Sequence, residues 1–370
     1  MDMVGIIFSN IYDSTLGDLT KNRTVASVPF GGRYRQIDFV LSNMVNSNVT
    51  TVGVITKHHY QSLMDHLISR SEWDLNRKNG GLFILPPFLS GQTEVYRGKI
   101  EALYGALSFL RHCSSEYVVL SDAVTVCNID YEEALEAHIK SGCDVTVIAN
   151  KEKDNGSKER RLLLKTKGNK VTDIAIDCAS DKYDLVGMGM FIMERNLLME
   201  MVKNCVAHGK YHFERDFLQE SFTNKEISIN AYEFKNIVLR NDSVVSYFKN
   251  NFKLMDEGVR KALFAPDAPI YTKVRDEVPT FYGENAVVDD CIIADGCTIK
   301  GHVENCVIFR NVTIEEDCYI KNSIIMQGGV IEKGCNIDCV IADKDVKINK
   351  GRTLIGAQTA PLIINKAEIV

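Results

Sequence analysis

No run of eighteen apolar residues occurs in the 370-residue chain, so a helix spanning a bilayer is not expected. Positive charge is in short supply. The 43 Lys and Arg stand against 49 Asp and Glu, a net charge of −6, which argues against a general nucleic-acid binder. The eleven cysteines form no CxxC pair and have no histidines at zinc-ligand spacing, so a structural metal framework is not expected. An odd number of cysteines also cannot all pair with one another. The opening Met-Asp-Met-Val-Gly-Ile-Ile-Phe carries an acid and only a short apolar run, unlike a secretory signal. A reducing, cytoplasmic setting with small buried thiols is the expectation. What is present is globular: 45% hydrophobic and 25% charged residues, which excludes disordered and collagen-like chains. The length favours two domains.

Through residue 150, apolar runs alternate with helical patterns. Val4–Phe8, Val52–Thr56, Tyr117–Leu120 and Asp144–Ala149 read as strands. Ile37–Val45, His59–Ser69, Glu101–Phe109 and Tyr131–Lys140 carry apolar residues at helical spacing. Strands separated by helices predict a mostly parallel sheet covered on both faces, and unbroken runs such as Tyr-Val-Val-Leu suit it. Lys151–Arg161 is polar and reads as a loop, and Leu162–Leu164 and Gly189–Met193 read as further strands.

The last hundred residues obey a different rule. The blocks Cys291-Ile-Ile, Cys306-Val-Ile, Ser323-Ile-Ile and Cys339-Val-Ile recur at spacings of 15, 17 and 16. Between them Ile293 and Ile299, then Ile308, Ile314 and Ile320, then Ile331 and Ile337 recur every six residues. A six-residue step with three steps per coil predicts a β-helix with a branched and a small residue inward on each side. Cysteine suits the small position, and six of the eleven lie here: Cys291, Cys297, Cys306, Cys318, Cys335 and Cys339.

The segment Pro29–Asn43, PFGGRYRQIDFVLSN, resembles the stretch that follows the nucleotide loop in bacterial ADP-glucose pyrophosphorylases, the glucose-1-phosphate adenylyltransferase family. Gly53–Thr56, Ser62–His66, Trp73-Asp74, Gly81–Pro87, Asp130-Tyr131, Met188–Met190 and Asn250–Leu254 continue the resemblance in order. It covers nearly the whole chain and points to the GlgD-type, catalytically deficient branch. The fold it implies is α/β: a GT-A/Rossmann-like nucleotidyltransferase domain over residues 1–255, a linker over 256–280 and a left-handed parallel β-helix over 281–370.

Adenylyl transfer to glucose 1-phosphate needs a Gly-rich loop with an arginine for the triphosphate, two carboxylates for Mg²⁺, and polar groups for the sugar phosphate. The resemblance implies that each is lost here. The family's Gly-Gly-x-Gly-x-Arg loop reads Ser9–Leu16, which contains no glycine, and its arginine falls on Thr15. The following lysine falls on Val25, and Asp13 would repel a triphosphate. The two metal aspartates fall on Val124 and Arg240. The Glu-Lys-Pro pattern falls on Ile176-Asp177-Cys178, the serine before Met-Gly is Gly187, and Asp-Phe-Gly reads His212-Phe213-Glu214. Gly-Thr-Ala-Asp-Ala reads Gly98-Lys99-Ile100-Glu101-Ala102. Asp122 and Asp242 stand near the metal positions but out of register. They define the alternative, an active adenylyltransferase with a rearranged metal site. Otherwise Asp122 is an exposed strand-end acid.

The resemblance therefore implies a non-catalytic regulatory subunit in glycogen synthesis. It would need no cofactor of its own and would assemble, as a heterotetramer, with a GlgC-type catalytic subunit that uses Mg²⁺. Arg23, Arg33, Arg35, Lys57 and His58 are the candidates for binding a sugar-phosphate effector. For Arg33 and Arg35 the competing reading is a structural salt bridge, for example to Asp38. A hexapeptide-repeat acyltransferase is a further class, but His302 is the one histidine on the predicted β-helix.

Overall fold

The computed structural model describes residues 2–11, 13–68, 71–87, 96–151, 161–178 and 182–370. Most of the polar stretch 151–161, read above as a loop, lies outside them. Nine strands form one sheet: β1 (Met3–Phe8), β2 (Thr51–Ile55), β3 (Gly81–Leu85), β4 (Tyr117–Asp122), β5 (Val145–Asn150), β6 (Leu162–Lys167), β7 (Lys170–Ile176), β8 (Leu185–Glu194) and β9 (Ile229–Glu233). Their order is β3-β2-β1-β4-β8-β5-β9-β7-β6. Only β8 and β7 run against the rest.

Strand alternation splits β1 between two cores. Val4, Ile6 and Phe8 pack beneath the helices Lys99–Gly105 and Arg195–Ala207. Met3 and Ile7 pack beneath Gln36–Asn46 and Tyr131–Ser141. Both faces of the sheet are thus covered, as its apolar runs predict.

Two helices differ from their sequence patterns. Glu101–Phe109 is broken into Lys99–Gly105 and Leu107–His112. The break is a turn at Ala106, whose N–H bonds back to Leu103, and the preceding glycine weakens the helix there. The helix expected from His59 begins at Gln61, because His59 is left-handed with φ 51°. Ser69, its expected end, lies outside the described residues.

From Phe281 onward the chain winds through three five-stranded parallel sheets, the left-handed β-helix of hexapeptide repeats. Three inward ladders fill it. Ile299, Ile314, Ile331 and Ile348 stack in one sheet. Val303, Ile320, Ile337 and Leu354 stack in the second, and Ile293, Ile308, Ile325, Ala342 and Ile364 in the third. The buried isoleucines among these contribute about 1.5–3 kcal/mol each. All eleven cysteines are free thiols; Cys297, Cys306, Cys318 and Cys335 are buried in this core.

The fourth block needs a register correction. Ile324 pairs with Ile341 and the Ser323 hydroxyl accepts from the Val340 N–H, so Val340, not Cys339, is the inward successor of Ser323. Cys339 instead occupies a left-handed corner, φ 55°, stacked below Asp290, Asn305 and Asn322. Those residue types tolerate that conformation best. The step is therefore 17 residues rather than 16, in line with His302 to Tyr319 to Asn336.

The segment 256–280 is built into the fold. Asp256 caps the helix Glu257–Leu263 by accepting from the Val259 N–H, and Leu263 is buried. Tyr271 and Thr272 then bond to Ser42 and Asp38 of the helix Gln36–Asn46. A third core joins the two domains. Val25, Val28, Phe30, Tyr247 and Phe248 pack with Val307, Phe309, Ile324, Met326 and Ile341. The Gly31-Gly32 turn, both residues at positive φ, fits here because a side chain on Gly32 would press on Ile292.

Candidate functional site

A cleft of about 650 Å³ opens above the C-terminal ends of β1 and β4, where ligands gather in open α/β sheets. Its lining includes Asn10, Ser14, Thr15, Lys57, Tyr96 and Arg97 on one side, and Ile176, Asp177, Gly187, His212 and Arg215 on the other. The first wall is the segment in the place of a nucleotide loop, and it is folded onto itself. Asp13 accepts from the Asn10 amide and from the Val25 N–H at 2.7 Å, and its carbonyl takes the Thr20 hydroxyl. Burial raises the Asp13 carboxyl to about 6, against the pull of these hydrogen bonds.

The floor is built from three distant segments. Asp122 ends β4 and is fully buried; Glu214 comes from the turn at Phe213–Gln219. Both bind the Lys99 ammonium, Asp122 at 2.8 Å. The ammonium lies 5.5 Å from the Phe8 ring centre and 5.6 Å from that of Phe191. Burial pushes the Asp122 carboxyl up despite Lys99, whereas for Glu214 the ammonium outweighs burial and holds the carboxyl below its usual range. Gly189, at φ 74°, passes so close that a Cβ would stand 2.4 Å from Asp122 Oδ2. Beside it Arg240 donates to the Gly187 carbonyl at 3.2 Å and pairs with buried Asp242 at 3.0 Å. Divalent-metal carboxylates are implied by the resemblance, and these residues do not fit them. Asp122 and Asp242 are each held by a cation of the chain itself.

A second, smaller crevice runs between the two domains. Arg33 and Arg35 line it from one side, Lys273 and Arg275 from the connecting segment, and Arg310 and Lys344 from the β-helix. His66 also lines it, but its Nε2 is bound to buried Asp38, which accepts from Thr272 and the Arg35 N–H as well. Arg35 donates its guanidinium to Ser62. Burial and the neighbouring Arg35 and Arg23 pull the half-buried Lys344 ammonium down to about 6.

The expected site residues divide accordingly. Thr15, Ile176, Asp177 and Arg240 line the cleft; Val25 and Val124 lie in the shared core. The acid that ends β4 is Asp122, two residues before Val124, and it is buried beneath the cleft lining rather than an exposed strand-end acid. Asp177 pairs with Arg215. Of the effector candidates, Arg33 and Arg35 come together in the crevice. Lys57 lies in the cleft instead, 5.3 Å from the Tyr96 ring centre. Arg23 is buried in a bidentate pair with Asp343, and His58 packs near His59. The place beside Asp38 that the competing reading gave to an arginine is taken by a hydrogen bond from His66, an imidazole that burial pushes below its usual range; Arg35 contributes only its backbone N–H. His302 rests against the Tyr319 ring. Sequence reasoning missed Lys273, Arg275, Arg310 and Lys344 as crevice residues; basic residues at coil corners were the available signal.

The nucleotidyl transferase family model matches residues 5–265, and the model described as GlmU-like, C-terminal hexapeptide matches 278–360. The chain is 34% identical to the glycogen biosynthesis protein GlgD of Bacillus subtilis (strain 168), over 98% of this chain and 96% of that one. It is 37% identical to the GlgD of Geobacillus stearothermophilus, over 84% and 81%. It is 28% identical to a glucose-1-phosphate adenylyltransferase of Bacillus anthracis, over 94% and 93%. No helix among the described residues is long and apolar enough to cross a membrane.

Proposed function

The chain belongs to the GlgD family of nucleotidyl transferases, and from that premise we propose that it is a non-catalytic regulatory subunit in glycogen biosynthesis. It tunes a GlgC-type glucose-1-phosphate adenylyltransferase that converts ATP and glucose 1-phosphate to ADP-glucose and pyrophosphate. The observation that carries the reading is the contrast between the two recesses. In the cleft, Asp122 and Asp242 are engaged by Lys99 and Arg240. In the crevice, Arg33, Arg35, Lys273 and Arg275 converge with Arg310, which pairs with Asp295, and among the described residues the lining itself contains no acid. An active enzyme using Asp122 and Asp242 would first have to release both. The crevice suits a phosphorylated effector, because guanidinium groups bind phosphate oxygens through paired, charge-assisted hydrogen bonds.

The partner is a homologous subunit, and the first coil of the β-helix is the surface offered to it. Phe281, Tyr282, Val287 and Val288 are exposed there on strands that pair on one side only. Such edges invite pairing with another chain.

The test is ADP-glucose formation with magnesium. The chain alone is expected to be silent. Mixed with the catalytic subunit of the same organism, it is expected to change the rate or its response to sugar phosphates. Robust turnover by the chain alone would overturn the proposal.

Lys344 adds a pH signature. An anion in the crevice favours the ammonium form, so binding takes up a proton above about pH 6, where the empty site has already lost it. Affinity therefore falls as pH rises from there toward the ordinary lysine range. Calorimetry of inorganic phosphate binding at pH 8, in two buffers of different ionisation enthalpy, should report proton uptake. Equal heats in both would count against the assignment.

A further inference from the structure

We infer that Lys99 is a resident cation filling the position of a divalent metal in the cleft. The first ground is convergence. Carboxylates from Asp122 and Glu214, remote in sequence, meet on one nitrogen. Two carboxylates that meet at one point, one of them fully buried, favour a cation between them, and Lys99, only 4% exposed, supplies it through a side chain that cannot dissociate.

The second ground is what surrounds the nitrogen. The rings of Phe8 and Phe191 both lie within 6 Å. An ammonium is attracted by ring faces.

The inference rests on reading the cleft as non-catalytic, but it concerns metal occupancy rather than regulation. Its consequence is that the metal site is masked, not erased. Lys99→Ala should unmask the Asp122–Glu214 pair. Mn²⁺ is the probe, followed by electron paramagnetic resonance and by melting temperature, on the full chain. The wild type is expected to take up no Mn²⁺ in the cleft and to melt at the same temperature with Mn²⁺ or with chelator. Lys99→Ala is expected to gain a single bound Mn²⁺ and a melting temperature that rises by a few degrees when it is added. Adding Asp122→Asn should abolish both gains.

Lys99→Ala leaves two carboxylates facing each other and can fail to fold, so Lys99→Gln is the second variant. Its amide keeps a donor between the acids without the charge. A folded Lys99→Gln or Lys99→Ala that takes up no Mn²⁺ would overturn the inference. So would a wild-type Mn²⁺ signal that disappears in Asp122→Asn. Either result would leave the regulatory proposal standing, since that is judged by the mixed assay.

Discussion

Asp343→Ala is expected to destabilise the chain by about 3–5 kcal/mol, because it strands a buried guanidinium. Arg23 is 3% exposed, and both its bonds to Asp343 measure 2.7 Å. Arg35 and Lys344 stand close enough to act on one another and on Arg23. Without the acid, Arg23 and Arg35 would share one pocket beside Lys344 with the buried guanidinium of Arg23 left unbalanced. The loss comes from the unpaired charge rather than from the pair as such. Replacing both partners by apolar residues, Arg23→Met with Asp343→Leu, is therefore expected to recover most of it. Urea denaturation of the three proteins checks this. A single variant within about 1 kcal/mol of wild type would mean that the pair behaves like a solvated surface bridge.

Arg33→Ala combined with Arg275→Ala is expected to weaken binding of a sugar bisphosphate in the crevice by roughly two orders of magnitude or more. Each charge-assisted hydrogen bond is worth about 1.5–3 kcal/mol, and about 1.4 kcal/mol is tenfold in affinity. Both side chains are exposed, so stability should hardly move and the effect can be assigned to the ligand. Calorimetry reads the affinity, and the mixed assay should lose its effector response in parallel. Unchanged affinity in the double variant would remove the crevice as the effector site. Binding that weakens with added salt in the wild type, and less so in the variant, would agree with the charge argument.

The parts legible in the sequence are those governed by a short period. The strand β1 and its neighbours were readable because unbroken apolar runs suit a sheet covered on both faces. The β-helix was readable because Ile308, Ile314 and Ile320 hold one phase. The misread corner at Cys339 has a specific cause. Cysteine recurs at the small inward position, so its appearance one residue early looked like the same role. The Lys99 cluster was not legible, since residues 99, 122 and 214 meet only after the sheet has formed. The burial of Asp122 was hard to read for a related reason. Sequence spacing was counted back from Asp130, across the short strand Thr125–Val126, which pairs with the distant Leu239–Arg240. Arg310 and Lys344 were hidden among the polar corners of the coils, where most charges are solvated. Their role depends on which corners face the first domain.

The core shared by the two domains limits how any message can travel. Domains move against one another by default only when the interface between them is small or wet. Here Phe30, Phe39, Tyr247 and Phe248 lie in one continuous core with Phe309, Met326 and Ile341. A hinge at that seam would have to open an oil-filled joint. Occupancy of the crevice is thus expected to act without swinging the halves. The subunit would work as a solid wedge, stiffened or relaxed at one notch, and whatever it tells its neighbour must pass through the shape of the face it presses against it.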